Sequence, residues 1–219
     1  MERHVLIAGR GGPVLEALVQ EAIAAKARVL RTLDSGQDKP PVPEGSEDLL
    51  ALTIWNRRSP LSARSVVIRA ANVLSTIEEA FIVYSSSNEV FRPFHELSPA
   101  DIELKVDSDV KGYLFLIKEI LAQLSRQRSG TISLVFQHPG AVLGSPLEAA
   151  AAAGFHSTAD ELFVAYQNEP VILRGFESTV ADASEFARHV FAAGTEKAER
   201  TRGKWQRFTG KSGLFSFGR

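Results

Sequence analysis

Apolar residues along the chain arrive in short unbroken runs, separated by stretches where they recur every three or four positions. Val5-Leu6-Ile7-Ala8 is the first such run. It suits a strand buried on both faces of a parallel sheet. Gly9-Arg10-Gly11-Gly12 follows as a tight turn, and then Val14, Leu18, Val19, Ala22 and Ile23 mark one face of an amphipathic helix. Pro13 stands where the first helical residue would be, a position at which its missing N–H is harmless. Ala27-Arg28-Val29-Leu30 reads as a second strand. Strand, turn, helix, strand is a βαβ unit, which forces a parallel pair.

The alternation continues. Leu49–Trp55, Ala80–Tyr84, Thr131–Phe136 and Val171-Ile172-Leu173 read as further strands, and Lys204–Phe208 reads as an edge strand. Helical spacing fills the gaps over Ser62–Leu74, over a long segment from Asp101 to Leu124, over Leu147–Ala153, again from Thr158 to Tyr166, and over Ser184–Arg200. Ser98-Pro99-Ala100-Asp101 is a good helix start, with a cap residue and then proline. Asp34–Asp48, with Pro40, Pro41 and Pro43, reads as an exposed loop. Strands alternating with helices over the whole chain predict a doubly wound α/β parallel sheet in a single domain, residues 1–219. Ligands of such sheets sit beyond the C-terminal strand ends. That rim should carry Gly9–Pro13, Asp34, Ser85-Ser86-Ser87 and Gln137–Gly140.

Composition narrows the chemistry more than the fold. The 219 residues contain no cysteine, which excludes disulfides, thiolate metal sites and cysteine nucleophiles. Against 26 acidic residues stand 25 basic ones, for a net charge of −1, so the basic excess of a phosphate-gripping nucleic-acid binder is missing. No apolar run approaches the roughly 20 residues needed to cross a bilayer. The short apolar stretch after Met1-Glu2-Arg3-His4 is cut by Gly9, too early for a secretory signal. The expected address is the cytoplasm, with no membrane and no nucleic-acid partner. No Gly-x-Ser-x-Gly, no Gly-x-x-x-x-Gly-Lys and no His-x-x-x-His occurs, so the sequence points to no hydrolase elbow, nucleotide P-loop or helical metal pair.

Taken together, several stretches resemble the short-chain dehydrogenase/reductase family over essentially the whole chain. They are Val5–Gly9, Ala80-Phe81-Ile82-Val83, Asp109–Phe115, Gly130-Thr131-Ile132, Pro139-Gly140 and Ser145-Pro146. The resemblance implies a Rossmann-like fold, NAD or NADP as cofactor, a small-molecule or dinucleotide ligand, and a homo-oligomer. In the family, the long helix and the helix matching Ala149–Tyr166 pack on a neighbouring subunit. Gly9, Arg10, Gly11, Gly12, Asp34, Ser85 and Ser86 are the implied cofactor-binding positions. The family's glycine turn falls on Gly9, Pro13 and Leu15, so only the first glycine is in register.

Chemistry is where the sequence departs from its likeness. The family reduces carbonyls with a tyrosine as acid or base and a lysine four residues later, one helical turn away. The chain has three tyrosines, and the residues four positions after Tyr84, Tyr113 and Tyr166 are Asn88, Ile117 and Pro170. By family spacing the tyrosine and lysine positions fall on Ala151 and Phe155, the serine position on Gln137 or His138, and the asparagine position on Asp109. The expectation is a member that keeps the scaffold and lacks the standard hydride-transfer residues, a non-catalytic ligand-binding or oligomeric protein. The alternative is an NAD(P)-dependent oxidoreductase with a remodelled site, in which His138 or His156 is the substitute acid or base and Asp109 orients it. The tail around Phe208, Phe215 and Phe217, with basic residues between, is expected to dock on a partner subunit or on its own core.

Overall fold

The computed structural model describes residues 3–40, 45–85, 93–138, 145–196 and 198–210. Ser86, Ser87, Pro139, Gly140, Phe215 and Phe217 lie outside these described residues. Seven parallel strands form one sheet in the order β3-β2-β1-β4-β5-β6-β7. They are β1 (His4–Gly9), β2 (Arg28–Asp34), β3 (Leu50–Trp55), β4 (Glu79–Ser85), β5 (Thr131–Gln137), β6 (Ile172–Ser178) and β7 (Trp205–Phe208). The strand order reverses between β1 and β4, which places the topological switch point, and with it the default ligand crevice, beside Gly9.

Both faces of the sheet are covered, which is why the strands read as continuous apolar runs. Val5, Ile7, Val29, Phe81, Val83 and Phe176 point to one face. There they meet α1 (Pro13–Ala24) and α6 (Ala183–Glu196). Leu6, Ala8, Leu30, Ile82, Tyr84 and Leu134 point to the other. They meet α2 (Pro60–Leu74), α4 (Gly112–Gln127) and α5 (Pro146–Ala165). A short α7 (Ala198–Thr201) precedes β7.

Three helices start with the same device, a serine cap followed by proline. Ser59 accepts from the Ser62 N–H at the start of α2, and Ser145 accepts from the Glu148 N–H at the start of α5. Ser98 and Asp101 cap one another reciprocally at the start of α3 (Pro99–Lys105). Two expectations are corrected. The long segment from Asp101 is not one regular helix: α3 and α4 are joined by a π-helical stretch, Val106–Lys111. Asp109 lies within this stretch and faces inward, 3% exposed. Conversely, the two helical pieces expected over Leu147–Ala153 and Thr158–Tyr166 are a single α5. Gly154 does not break it, because Ala151 and Ala152 before it and Phe155, Ala159 and Phe163 after it keep one continuous buried face.

Candidate active-site cleft

The C-terminal ends of the strands border a cleft of about 600 Å³. Its outer end is lined by Asp34 and Ser35 after β2, and by Asn56, Arg57 and Arg58 after β3. Its inner end is lined by Arg10 from the glycine turn, Lys105 and Asp109 from the α3–α4 junction, and Glu148 from the first turn of α5. Leu97, Leu104 and Leu147 supply apolar wall.

The charged groups form one chain across this rim. The Tyr84 hydroxyl donates to Glu148 Oε1 at 2.9 Å, and Glu148 Oε2 pairs with the Lys105 ammonium. Lys105 Nζ also lies 2.8 Å from Asp109 Oδ2, and Asp109 Oδ1 accepts from Arg57 Nη1. Arg57 Nε donates to Asp34 Oδ1 at 3.0 Å, and the Gly11 N–H donates to Asp34 Oδ2 at 3.4 Å. Arg10 Nη1 approaches Asp109 Oδ2 at 3.6 Å. Three cations thus face three carboxylates. The balance matters because Lys105, Asp109 and Glu148 are nearly out of water, where an unpaired charge is prohibitive.

These surroundings set the protonation states. Burial would lower Lys105, but its hydrogen bonds and charge interactions with Asp109 and Glu148 outweigh that and hold it above the ordinary lysine range. Burial would raise Asp109, but Lys105, Arg57 and Arg10 hold it below the ordinary carboxylate range. Both are therefore charged at neutral pH. Tyr84 is pushed well above the ordinary phenol range, first by burial and then by the Glu148 charge and hydrogen bond. Tyr113 is also raised, chiefly by burial, while its hydroxyl donates to the Val83 carbonyl at 2.9 Å and accepts from the Arg10 N–H. Both phenols are therefore protonated near neutrality, and both hydroxyls are already engaged within the chain.

The positions that sequence spacing assigns to the family's reacting groups have the following surroundings. Ala151 and Phe155 are buried on α5, and the Phe155 ring packs on Tyr84, Tyr113 and Phe136. Gln137 ends β5 and donates to the Val180 carbonyl at 2.9 Å. The His138 N–H donates to the Ser178 carbonyl, its ring stands edge-on to Phe136, and its buried Nδ1 has no hydrogen-bond partner among the described residues. Asp109 is engaged by Arg57, Lys105 and Arg10, and no contact with His138 or His156 occurs among the described residues. His156 stacks on Trp205 at 4.4 Å, with Asp160 and Glu177 on its ring nitrogens. It braces α5 against β6 and β7 instead of lining the cleft. Ser85 ends β4 with a buried Oγ that lacks a partner among the described residues; Ser86 lies beyond them.

Gly9, Arg10, Gly11, Gly12 and Asp34 do come together. A Cβ on Gly9 would stand 2.4 Å from the Val83 carbonyl, so glycine is required for β1 to lie against β4. At Gly12 a Cβ would meet nothing within 4 Å, so the turn faces open space. Leu15, the bulk in place of a family glycine, is absorbed in the core beneath α1.

Arg57, Lys105, Glu148 and Tyr84 escape a reading by motif. Two weak signals were present. Lys105 and Asp109 are four residues apart on a helical segment, a spacing that brings side chains together. Glu148 stands three residues after the Ser145 cap, where a carboxylate normally serves the helix start. Here its oxygens reach Tyr84 and Lys105. No metal-binding group of His, Asp and Glu occurs among the described residues, and none of their helices is long and apolar enough to cross a membrane.

No protein-family model and no curated protein sequence matches the chain. Solved structures do. The chain is similar to "ElxO with NADP Bound" with TM-score 0.80 at 11% identity, over 96% of this chain and 98% of that one. It is similar to a Serratia marcescens short-chain dehydrogenase/reductase variant with TM-score 0.74 at 11% identity, over 95% and 96%. It is similar to serine dehydrogenase from Escherichia coli with TM-score 0.74 at 15% identity, over 92% and 96%. At these identities the likeness establishes the architecture: the chain has the Rossmann-like α/β fold of these oxidoreductases, nearly end to end.

Proposed function

We propose that the protein binds a nucleotide, NAD or NADP being the first candidates, in the rim cleft and does not transfer hydride by a tyrosine–lysine route. The observation that carries this reading is the apolar character of the positions that family spacing assigns to the acid and its lysine. By sequence spacing Ala151 and Phe155 match the family's tyrosine and lysine, and both are apolar and buried on α5. The tyrosines nearby, Tyr84 and Tyr113, are tied up and raised in pKa. A nicotinamide dinucleotide brings its own hydride donor or acceptor, but reduction of a carbonyl also needs a proton at the oxygen.

The binding half is better supplied. The N-terminus of α1 offers partial positive charge to a phosphate, the Gly12 turn leaves room for it, and Arg10 and Arg57 stand beside it. Similarity to a structure with NADP bound supports a dinucleotide as ligand. Calorimetric titration with NADH and NADPH tests the binding. Submillimolar affinity without carbonyl-dependent oxidation fits the proposal, whereas oxidation that disappears in His138→Gln would favour the remodelled oxidoreductase. The buried His138 Nδ1, without a hydrogen-bond partner among the described residues, is the observation behind that second reading.

A homo-oligomer in the cytoplasm belongs to the same proposal. Leu114 on α4 and Val164 on α5 are exposed, 42% and 65%, on the two helices by which a neighbour would dock. Light scattering at micromolar concentration should give at least twice the 23.9 kDa chain mass; a monomer refutes this part.

A further inference from the structure

Where α5 meets the last two strands, the His156 ring has a carboxylate at each nitrogen. Nδ1 lies 3.2 Å from Asp160 Oδ2, one turn further along α5, and Nε2 lies 3.4 Å from Glu177 Oε2 on β6. A carboxylate only accepts hydrogen bonds, and a neutral imidazole carries one N–H and one lone pair. A neutral His156 would therefore turn its lone pair toward one of the two acids. Only the imidazolium, with two N–H groups, serves both. The ring also lies parallel to the Trp205 indole, 4.4 Å between centroids and 15° between planes. A cation so placed is attracted by the indole π face.

Both acids also reach β7. Asp160 Oδ1 accepts from Trp205 Nε1 at 2.8 Å, and Glu177 Oε1 lies 3.2 Å from Arg207 Nε. The strand needs such ties, because it is four residues long and pairs on one side only. Trp205 lies across Gly175 of β6, where a Cβ would strike the indole ring. At the other end of the strand Phe208 packs on Phe186 and His189 of α6. Burial holds the His189 ring below the ordinary histidine range, so it packs as a neutral ring. We propose that His156 is a proton-operated fastener, whose imidazolium locks the edge strand β7 onto α5 and β6 and whose deprotonation loosens it. Histidine changes charge between about pH 5 and pH 8, so the device responds around neutrality. The sign follows from linkage: the stabilisation is present at the acid end of that range and is lost as pH rises. His189 acts in the opposite sense, since its protonation would disfavour the packing of Phe208. The fastener is independent of what the cleft binds.

Hydrogen exchange of the full chain tests this, read at the Gly175 N–H, which donates to the Lys204 carbonyl, and at the Gly203 N–H, which donates to the Leu173 carbonyl. Exchange is expressed as protection, with the intrinsic pH effect on amide exchange divided out. In the wild type, protection should be about tenfold higher near the acid end of the histidine range than near its alkaline end, the worth of one charge-assisted hydrogen bond. His156→Gln cannot change charge and should lose that gain; His189→Gln should keep it. Absence of the gain in both the wild type and His189→Gln overturns the proposal, and so does a gain that survives in His156→Gln. Imidazole nitrogen NMR of the wild type keeps the test decisive if His156→Gln does not fold. Both His156 ring nitrogens should carry protons at the acid end, and β7 protection should fall with the same midpoint as their deprotonation. A neutral His156 there, or a different midpoint, overturns it.

Discussion

Lys105 holds two buried carboxylates, Asp109 and Glu148, from different elements. Its removal would leave both charges short of a partner in a place water scarcely reaches. Lys105→Met should therefore destabilise the fold by about 3 kcal/mol, the scale of a broken buried pair; urea denaturation measures it, and a loss near zero would show the network to be solvated. Tyr84→Phe removes only the hydroxyl bonded to Glu148 and should cost about 1–2 kcal/mol. Asp109 fixes the pH dependence. Its carboxyl is held below the ordinary range in the folded state, so it contributes stability that is complete above the unfolded carboxylate pKa. That stability is lost as pH falls through the lowered folded value. The melting temperature should drop on acidification, and in Asp109→Asn the drop should be shallower; equal acid limbs would contradict the assignment.

The α3–α4 junction is where single residues become geometry. The π-helical stretch carries the buried Asp109, and Gly112, just after it, admits the Arg57 loop. Gly112→Ala places a methyl against a carbonyl and should cost about 1–3 kcal/mol while releasing Arg57 from its carboxylates; intact stability in thermal melts would show the loop yields freely. His156 acts in another element pairing. His156→Ala should change Trp205 fluorescence through the lost stack and leave nucleotide affinity unaltered, because the ring faces β7. The elements themselves were legible in the sequence, since a strand buried on both faces leaves an unbroken run such as Val5–Ala8, and α1 shows its stripe. The π-helical stretch was not, because Val106–Lys111 keeps a helical apolar pattern while changing its turn. Nor was the Arg57–Asp34–Asp109 link. Ion pairs between distant loops have no spacing to read, and a charged residue such as Arg57 looks in sequence like any solvated arginine. The glycine turn and Asp34 were legible because strand ends locate them.

At the scale of the molecule, a fold shared almost end to end with oxidoreductases carries a cleft whose charges are already matched within the chain. Below the cleft, Phe155 packs with Tyr84, Tyr113 and Phe136. The fold accounts for a ligand crevice at the switch point, and the proposed role is to hold a ligand there without converting it. The most direct test follows the dihydronicotinamide absorbance of NADPH and NADH bound to the purified protein, in the presence of a panel of aldehydes and ketones. The account predicts that the bound nucleotide persists unoxidised with every carbonyl. Carbonyl-dependent loss of that absorbance, scaling with protein concentration, would contradict it.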